Sequence, residues 1–412
     1  MTKLQVFSQT PKSLGFTFPA EWSRQRATWF SWPRPEGISF PAKYETVPAN
    51  IALFIREIVP RQTVHINVPN ENYERIAREQ LIAGGVPRRF FGPLTALEET
   101  PSRTSRIQFH YMKTNESWCR DHGPAFVVRE GPASERRATK GSTKGSNDGS
   151  TTGSANTKGR SEFAIVDWGF NAWGGKYPPF DSDDAVPTRI AEELAAAKTP
   201  GFAGIFYPKH PATKNGVPVI MEGGAIEVNG KGTLLTTESC LLNKNRNPNL
   251  TKSQIERYLK EYYGQSHICW LGDGIVGDDT DGHIDDLARF LDPRTIVVAL
   301  ETDRKDANFK ILRENYKRAQ ELRDQDGRPF NIVEIPMPGR LEHLGQRLPA
   351  TYLNFLFING AVLVPTFRHK NDRLALAILQ KHLPRHKVVG VDSVELIWGL
   401  GSIHCLSQQQ PG

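Results

Sequence analysis

Short apolar runs alternate with longer segments of helical period along most of the chain. TVHINV (63–68), IQFHYM (107–112), FAIVDW (163–168), GAIEVN (224–229), TLLTTE (233–238), RTIVVAL (294–300), FNIVEIP (330–336), residues 354–358 with 361–364, and KVVGV (387–391) predict strands. Segments 43–59, 71–83, 186–198, 251–263, 306–324 and 371–383 predict helices. In 251–263, Ile255, Tyr258, Leu259 and Tyr262 fall on one helical face. The order strand–strand–helix–strand recurs several times. No text matches between the recurrences, so order alone suggests a repeated architecture.

The pattern stops at ATKGSTKGSNDGSTTGSANTKGRSE (138–162), which is rich in Gly, Ser and Thr and has no apolar period. PAFVV (124–128) before it and FAIVDW after it read as the two arms of a hairpin. Residues 131–162 are therefore expected to be a flexible surface insertion within a single domain spanning 1–412, rather than an interdomain linker.

Composition narrows the function classes. The 412 residues are 38% hydrophobic and 24% charged, as in globular proteins. No apolar run approaches a membrane span, and the first residues have no secretory h-region. A cytoplasmic protein with no membrane partner is expected. Cys119, Cys240, Cys269 and Cys405 are too scattered for a disulfide framework, and none forms a CxxC pair. Of the net charge of +7, +3 lies in residues 131–162. The remainder is a weak case for nucleic acid, and no nucleic-acid-binding motif accompanies it.

Four polar stretches sit where an ordinary core would not place them. In NESWCRDHGP (115–124), Asp121 reads as a turn cap or a functional carboxylate. In VIMEGG (219–224), Glu222 follows an apolar strand, at a bulge, a hairpin corner or a site. GDDTDGHIDDLARF (277–290) gathers five Asp and His283. It is a solvated loop, a metal site or a cradle for an organic cation. The spacing is wrong for an EF-hand loop, and one His among Asp residues is an incomplete zinc set. GLGSIHCLSQQQPG (399–412) places Cys405 behind a glycine-rich turn, as packing or as a nucleophile. A thiol, a His and several carboxylates become coherent together if the electrophile is a guanidinium. Carboxylates grip it through paired charged hydrogen bonds, the thiolate attacks its carbon, and the His moves protons.

These stretches together resemble the agmatine deiminases and their bacterial peptidylarginine-deiminase-like relatives, members of the pentein superfamily. The resemblance rests on FPAEWSRQRATWFSWP (18–33), SWCRDHGP (117–124), GFNAWGGKYPPFDSDD (169–184), MEGGAIEVNGKGTLLTTESCLLNKNRNP (221–248), DDTDGHIDDLARF (278–290), PATYLNFLFINGAVLVP (349–365) and IHCLSQQQP (403–411), in that order. It implies an α/β-propeller of five ββαβ-type units about a pseudo-fivefold axis, with the site in the central cavity. It implies hydrolysis of agmatine to N-carbamoylputrescine and ammonia, a step toward putrescine, with no metal and no cofactor. By the same resemblance Cys405 is the nucleophile and His283 the general acid/base. Asp121 and Asp285 grip the guanidinium, and Glu222 orients His283. Trp118 and Asp281, from the same stretches, are further candidates for substrate binding. Leu400, Ser402 and Glu227 depart from the family text, where Gly, Asn and His are usual. A deiminase of another guanidine and a catalytically silent binding protein are the alternatives, and a homo-oligomer is left open.

Overall fold

The computed structural model describes residues 3–40, 43–92, 105–130, 161–210 and 216–412. Its sheets repeat one plan: two antiparallel strands, a helix, then a strand parallel to the second. The plan runs through Ala125–Arg129, Glu162–Val166, helix Val186–Ala196 and Phe202–Phe206. It recurs with Glu227–Val228, Thr233–Thr237, helix Lys252–Tyr262 and His267–Leu271. A third copy is Ala288–Asp292, Thr295–Leu300, helix Asn308–Glu321 and Asn331–Pro336. The next is Leu356–Ile358, Ala361–Thr366, helix Asp372–His382 and Lys387–Asp392.

The remaining copy opens the chain and lacks its own first strand. Gln25–Ser31, helix Val47–Ile58 and Thr63–Val68 supply three of its parts, and the chain end, Ser407–Pro411, returns to pair antiparallel with Gln25–Ser31. The two ends thus complete one unit between them. Ile107–Tyr111 and Val6–Phe7 add outer strands to the first two sheets.

Local chemistry explains the elements. Thr295–Leu300, the central strand of its sheet, is buried at every position, as a strand covered on both faces must be. Thr251 and Gln254 form a reciprocal capping box at the start of Lys252–Tyr262, and Asn70 accepts from the backbone of Asn72 and Tyr73 to start Glu71–Ala83. Pro48 and Pro187 sit in the first turns of their helices, where a missing N–H costs nothing.

Apolar cores join each unit to the next around the circuit. One links Ile51 and Val64 of the first unit to Leu356 and Leu363 of the last. Others link Phe206 to Leu234, Leu271 to Val298, Val297 to Val362, and Trp29 to Phe126. The expected hairpin arms do pair, from Ala125 opposite Val166 to Arg129 opposite Glu162. Of the expected insertion between them, 131–160 lies outside the described residues.

Some expectations shift. GAIEVN becomes a helical turn, Gly223–Ala225, before a two-residue strand, and the strand expected from 354 begins at Leu356. Both shortened segments are strand openings where the backbone turns so that a polar side chain can point inward. The strands at Gln25–Ser31, Phe202–Phe206, His267–Leu271, Ala288–Asp292 and Ser407–Pro411 carry too few clean alternations for pattern alone to mark them.

Candidate active site

Each unit's first strand is preceded by a tight turn, and the five turns meet. They are Cys119–His122, Gly223–Ala225 with Glu222 ahead of it, Ile284–Asp286 with His283 ahead of it, the residues before Leu356, and Ile403–Leu406. The structure therefore brings Asp121, Glu222, His283, Asp285 and Cys405 together from four units, and adds Asn354 from the fifth. All of these side chains are buried.

The thiol end is organised by Asn354. Its Nδ2 points to Cys405 Sγ at 3.0 Å, Asp286 Oδ1 at 3.1 Å and Asp285 Oδ2 at 3.2 Å, while its Oδ1 accepts from the backbone N–H of His404 at 3.1 Å. Cys405 Sγ lies 3.8 Å from Asp285 Oδ2. Burial, and then the carboxylates of Asp285, Asp286 and Asp121, push the thiol well above its ordinary pKa. Asp285 is itself buried, but His404 Nδ1 at 2.6 Å outweighs that cost and keeps it ionised below its usual range. Asp285 Oδ1 is buried with no hydrogen-bond partner among the described residues.

The imidazole end is held between carboxylates. His283 Nδ1 is 3.8 Å from Asp121 Oδ1, and Nε2 is 3.6 Å from Glu222 Oε2. Burial opposes charge on this ring, but Asp121 above all, with Cys240 and Glu222, raises its pKa well above the ordinary value. Burial, with Asp285 and Glu222 adding to it, raises Asp121 to about 6, although His283 and the Nε1 hydrogen bond from Trp173 at 2.9 Å oppose the rise. Its other oxygen accepts from Gly224 N at 2.9 Å. A Cβ at Gly224 would sit 2.5 Å from His283 Nδ1, so only glycine lets the turn approach the ring. Burial favours protonating Glu222, but Arg246 Nε at 2.7 Å lowers its pKa.

A cavity of about 260 Å³ ends at Asp121 and Cys405 and is walled by Trp118, Trp173, Tyr177 and Trp398. Among its described lining residues there is no Arg or Lys, whereas Glu116 and Asp279 put carboxylates on its wall. The turn before Cys405 fits only because it is glycine-rich: a Cβ at Gly401 would lie 2.7 Å from Trp118 Cζ3, and one at Gly399 2.3 Å from Phe40 Cε1. Leu400 keeps a left-handed φ of 66° between them and lines the cavity. The hairpin of Glu342–His343 and Gln346–Arg347 borders the same space through His343, Leu344 and Gln346.

Of the sequence candidates, Trp118, Asp121 and Cys405 line the cavity; Asp285, His283 and Glu222 are buried against them without lining it, and Asp281 is engaged elsewhere. Asp281 instead holds Arg246 Nη1 at 2.5 Å, Lys176 Nζ at 2.8 Å and Asn245 Nδ2 at 2.9 Å. Its neighbours Asp279 and Thr280 take the lining positions.

Sequence reasoning missed what lies beneath the thiol. His404 Nε2 bonds Glu21 Oε2 at 2.7 Å, and Arg289 Nη2 bonds the same oxygen at 2.7 Å. Arg289 Nε also bonds Glu227 Oε2 at 3.0 Å, so the unusual Glu227 neutralises a fully buried guanidinium. Arg120 donates to His404 O at 3.1 Å and to Gln409 Oε1 at 2.6 Å. A signal was present in LARFL and FPAEW, where single charges interrupt apolar text.

The chain has clear relatives. The Porphyromonas-type peptidyl-arginine deiminase family model matches residues 17–411. Agmatine deiminases of Pseudomonas syringae pv. tomato and Pseudomonas aeruginosa are each 32% identical, over 99% and 98% of both chains respectively. Among solved structures, the agmatine deiminase of Enterococcus faecalis superposes with a TM-score of 0.78 at 29% identity, covering 99% of each chain. That of C. jejuni with substrate bound superposes with a TM-score of 0.73 at 29% identity, covering 96% of each chain.

Proposed function

This chain belongs to the Porphyromonas-type peptidyl-arginine deiminase family, with a pentein fold, and from that premise we propose that it is a hydrolase converting agmatine and water to N-carbamoylputrescine and ammonia. The observation that carries the reading is the cavity. A thiol and a carboxylate line its closed end, a second carboxylate and an imidazole lie against them, and no described Arg or Lys lines it to receive a substrate carboxylate. Agmatine has a guanidinium at one end and an ammonium at the other. Free arginine would bring its carboxylate against Glu116 and Asp279. The narrow aromatic walls suit a short methylene chain.

The chemistry follows from the electrostatics. In the free site the thiol stays protonated, because three carboxylates surround it in a dry place. A guanidinium docked between Asp121 and Asp285 neutralises that field, and the thiol proton leaves to solvent. The Cys405 thiolate adds to the guanidinium carbon. His283, protonated between Asp121 and Glu222, gives its proton to the departing nitrogen, and ammonia leaves behind an S-alkylthiouronium. The now neutral His283 takes a proton from water as its oxygen attacks the same carbon. The C–S bond breaks, the thiolate returns, the remaining hydroxyl proton passes to solvent and the ureido product departs. Asn354 and His404 position the thiol and Asp285, and Glu222 positions the imidazole. No step requires a metal or cofactor.

Among the described residues no helix is long and apolar enough to cross a membrane. All four cysteines are buried free thiols, which suits the reducing cytoplasm. The test is ammonia release from agmatine, free arginine and a blocked arginyl peptide side by side. Agmatine is expected to exceed both in kcat/KM by about 100-fold or more. Equal or faster turnover of the peptide would move the assignment to the peptidyl substrate. Turnover of none would leave a binding protein.

A further inference from the structure

We infer that Glu222, Cys240 and His283 form a site for a zinc-class divalent ion, and that an ion held there inhibits the enzyme by occupying its acid–base imidazole. The binding part stands on the geometry alone. The inhibition part rests on the role proposed for His283.

One donor atom from each residue lies within 4.8 Å of the other two. His283 Nε2 is 3.6 Å and Cys240 Sγ 3.8 Å from Glu222 Oε2. Zinc bonds of about 2.0–2.3 Å in a tetrahedral arrangement put neighbouring donors roughly 3.3–3.8 Å apart. The two distances to Glu222 Oε2 fall within that range, and the third pair of donors lies within 4.8 Å.

The second observation is the state of the ring. His283 is 0% exposed, and neither of its nitrogens has a hydrogen-bond partner among the described residues. Buried imidazoles are ordinarily bonded. Its Nδ1 and Nε2 meet the carboxylates of Asp121 and Glu222 only at 3.8 and 3.6 Å, beyond hydrogen-bond length, so Nε2 has room to bond an ion shared with Glu222 and Cys240 once its proton has left.

The surroundings support the same conclusion. Arg246 Nε occupies Glu222 Oε1 at 2.7 Å, which leaves Oε2 for an ion. Arg246 is itself held by Asp281 at 2.5 Å and by the Thr280 carbonyl at 2.8 Å, so its charge is already answered. On binding, Cys240 and His283 each release one proton to solvent, and one divalent ion replaces two protons. The buried charge is unchanged, so the exchange escapes the large cost of adding charge to a dry interior. A thiolate, an imidazole and a carboxylate select zinc, cobalt or cadmium over magnesium and calcium, which take oxygen donors.

Cys405 is the competing thiol, and the experiment must separate the two. Full-length protein stripped with a chelator is titrated with zinc against a chromophoric chelator, and with cobalt to read a thiolate-to-metal absorption band. The Cys405→Ser variant should keep wild-type zinc affinity and the band. Cys240→Ser and Cys240→Ala should lose the band and bind about tenfold or more weakly. Their rates, each measured against its own metal-free value, should resist zinc concentrations that silence the wild type.

Loss of the band in Cys405→Ser with retention in both Cys240 variants would put the ion on the nucleophile and overturn the site, as would no stoichiometric binding by the wild type. Binding through Cys240 with undiminished turnover would overturn the inhibition. If agmatine is not turned over at all, the binding measurements still decide the site, so its failure and that of the proposed function are distinguishable.

Discussion

Thr295–Leu300 and Ser407–Pro411 are both strands, and nearly every residue in each is buried. One reads TIVVAL and the other SQQQP. The first is held by contacts that ask only for apolar bulk. The second is held by named partners: Gln409 by Arg120 at 2.6 Å, Gln410 by Trp29 at 3.0 Å, and Ser407 by the Ile403 carbonyl at 2.7 Å. The difference is one of task. The apolar strands build the circuit of units, and the polar tail fixes the thiol two residues before it. Hydrophobic burial tolerates small shifts, whereas charged hydrogen bonds in a dry centre are geometrically strict. Damage to the two kinds of region should therefore be read by different instruments.

The largest expected effect is in the centre. Cys405→Ser should lower kcat by at least about 10⁴-fold, since a serine hydroxyl here has no base to activate it. The melting temperature should barely change, because the substitution is near-isosteric. Mass spectrometry of the wild type during turnover should find an adduct on Cys405. Substantial activity in the serine variant would remove the thiol from the mechanism and leave the tail as a purely structural clasp.

The carboxylates come next. Asp121→Asn and Asp285→Asn keep shape and remove a charge proposed to face the guanidinium. Each should lower kcat/KM by roughly 30- to several-thousand-fold, the equivalent of about 2–5 kcal/mol for a charged bond lost in a desolvated pocket. Steady-state kinetics on agmatine checks this. Normal turnover in both would mean that the polar turns are buried for structure alone, and the contrast with the apolar strands would have no functional meaning.

The comparison also explains what the sequence makes legible. Periodicity finds Glu71–Ala83 and Thr63–Val68 at their observed bounds, because one-sided or full burial leaves a pattern. The antiparallel hairpin around 131–160 follows from its arms. The residues Asp121, Glu222, His283, Asp285 and Cys405 emerge only as scattered oddities until the family text orders them. Asn354 hides inside an apparent strand, and Asp281 looks like its neighbours until Arg246 claims it. Polar groups satisfied across distant segments leave no period. Glu21 meets His404 and Arg289 only after folding brings three distant segments of the chain together.

A matched pair tests the boundary between frame and centre. Asn354→Ala strips partners from the thiol, Asp285 and Asp286, and should cost about 10- to 100-fold in kcat, with KM moving less. Ile296→Val, in a strand position that is 0% exposed, should cost about 0.5–1.5 kcal/mol of stability and leave kcat within about twofold. Denaturant unfolding and kinetics on both variants should give opposite profiles. Similar profiles would show that frame and centre are not separable.

The smallest effect is expected at 131–160. Replacing the segment by a tight turn should change stability by about 1 kcal/mol or less, since closure entropy grows only with the logarithm of length. The anchors for the shortened connection are already in place, because Arg129 opposes Glu162 in register and their side chains pair at 2.8 Å. Asp121 lies before this segment and Cys405 after it, yet both line one cavity. Arg120 reaches across to the backbone of His404, and the cores that hold Val127 with Leu234 and Trp29 with Ile165 contain residues from both sides of the cut. Limited proteolysis at Lys140, Lys144, Lys158 or Arg160 should therefore leave two fragments that co-elute on native gel filtration and still release ammonia. Fragments that separate under native conditions and melt independently would make the segment a linker between two domains. The closing strand Ser407–Pro411 would then have to leave Gln25–Ser31 at no cost, which ten paired residues and the bonds of Gln410 to Trp29 and Gln409 to Arg120 oppose.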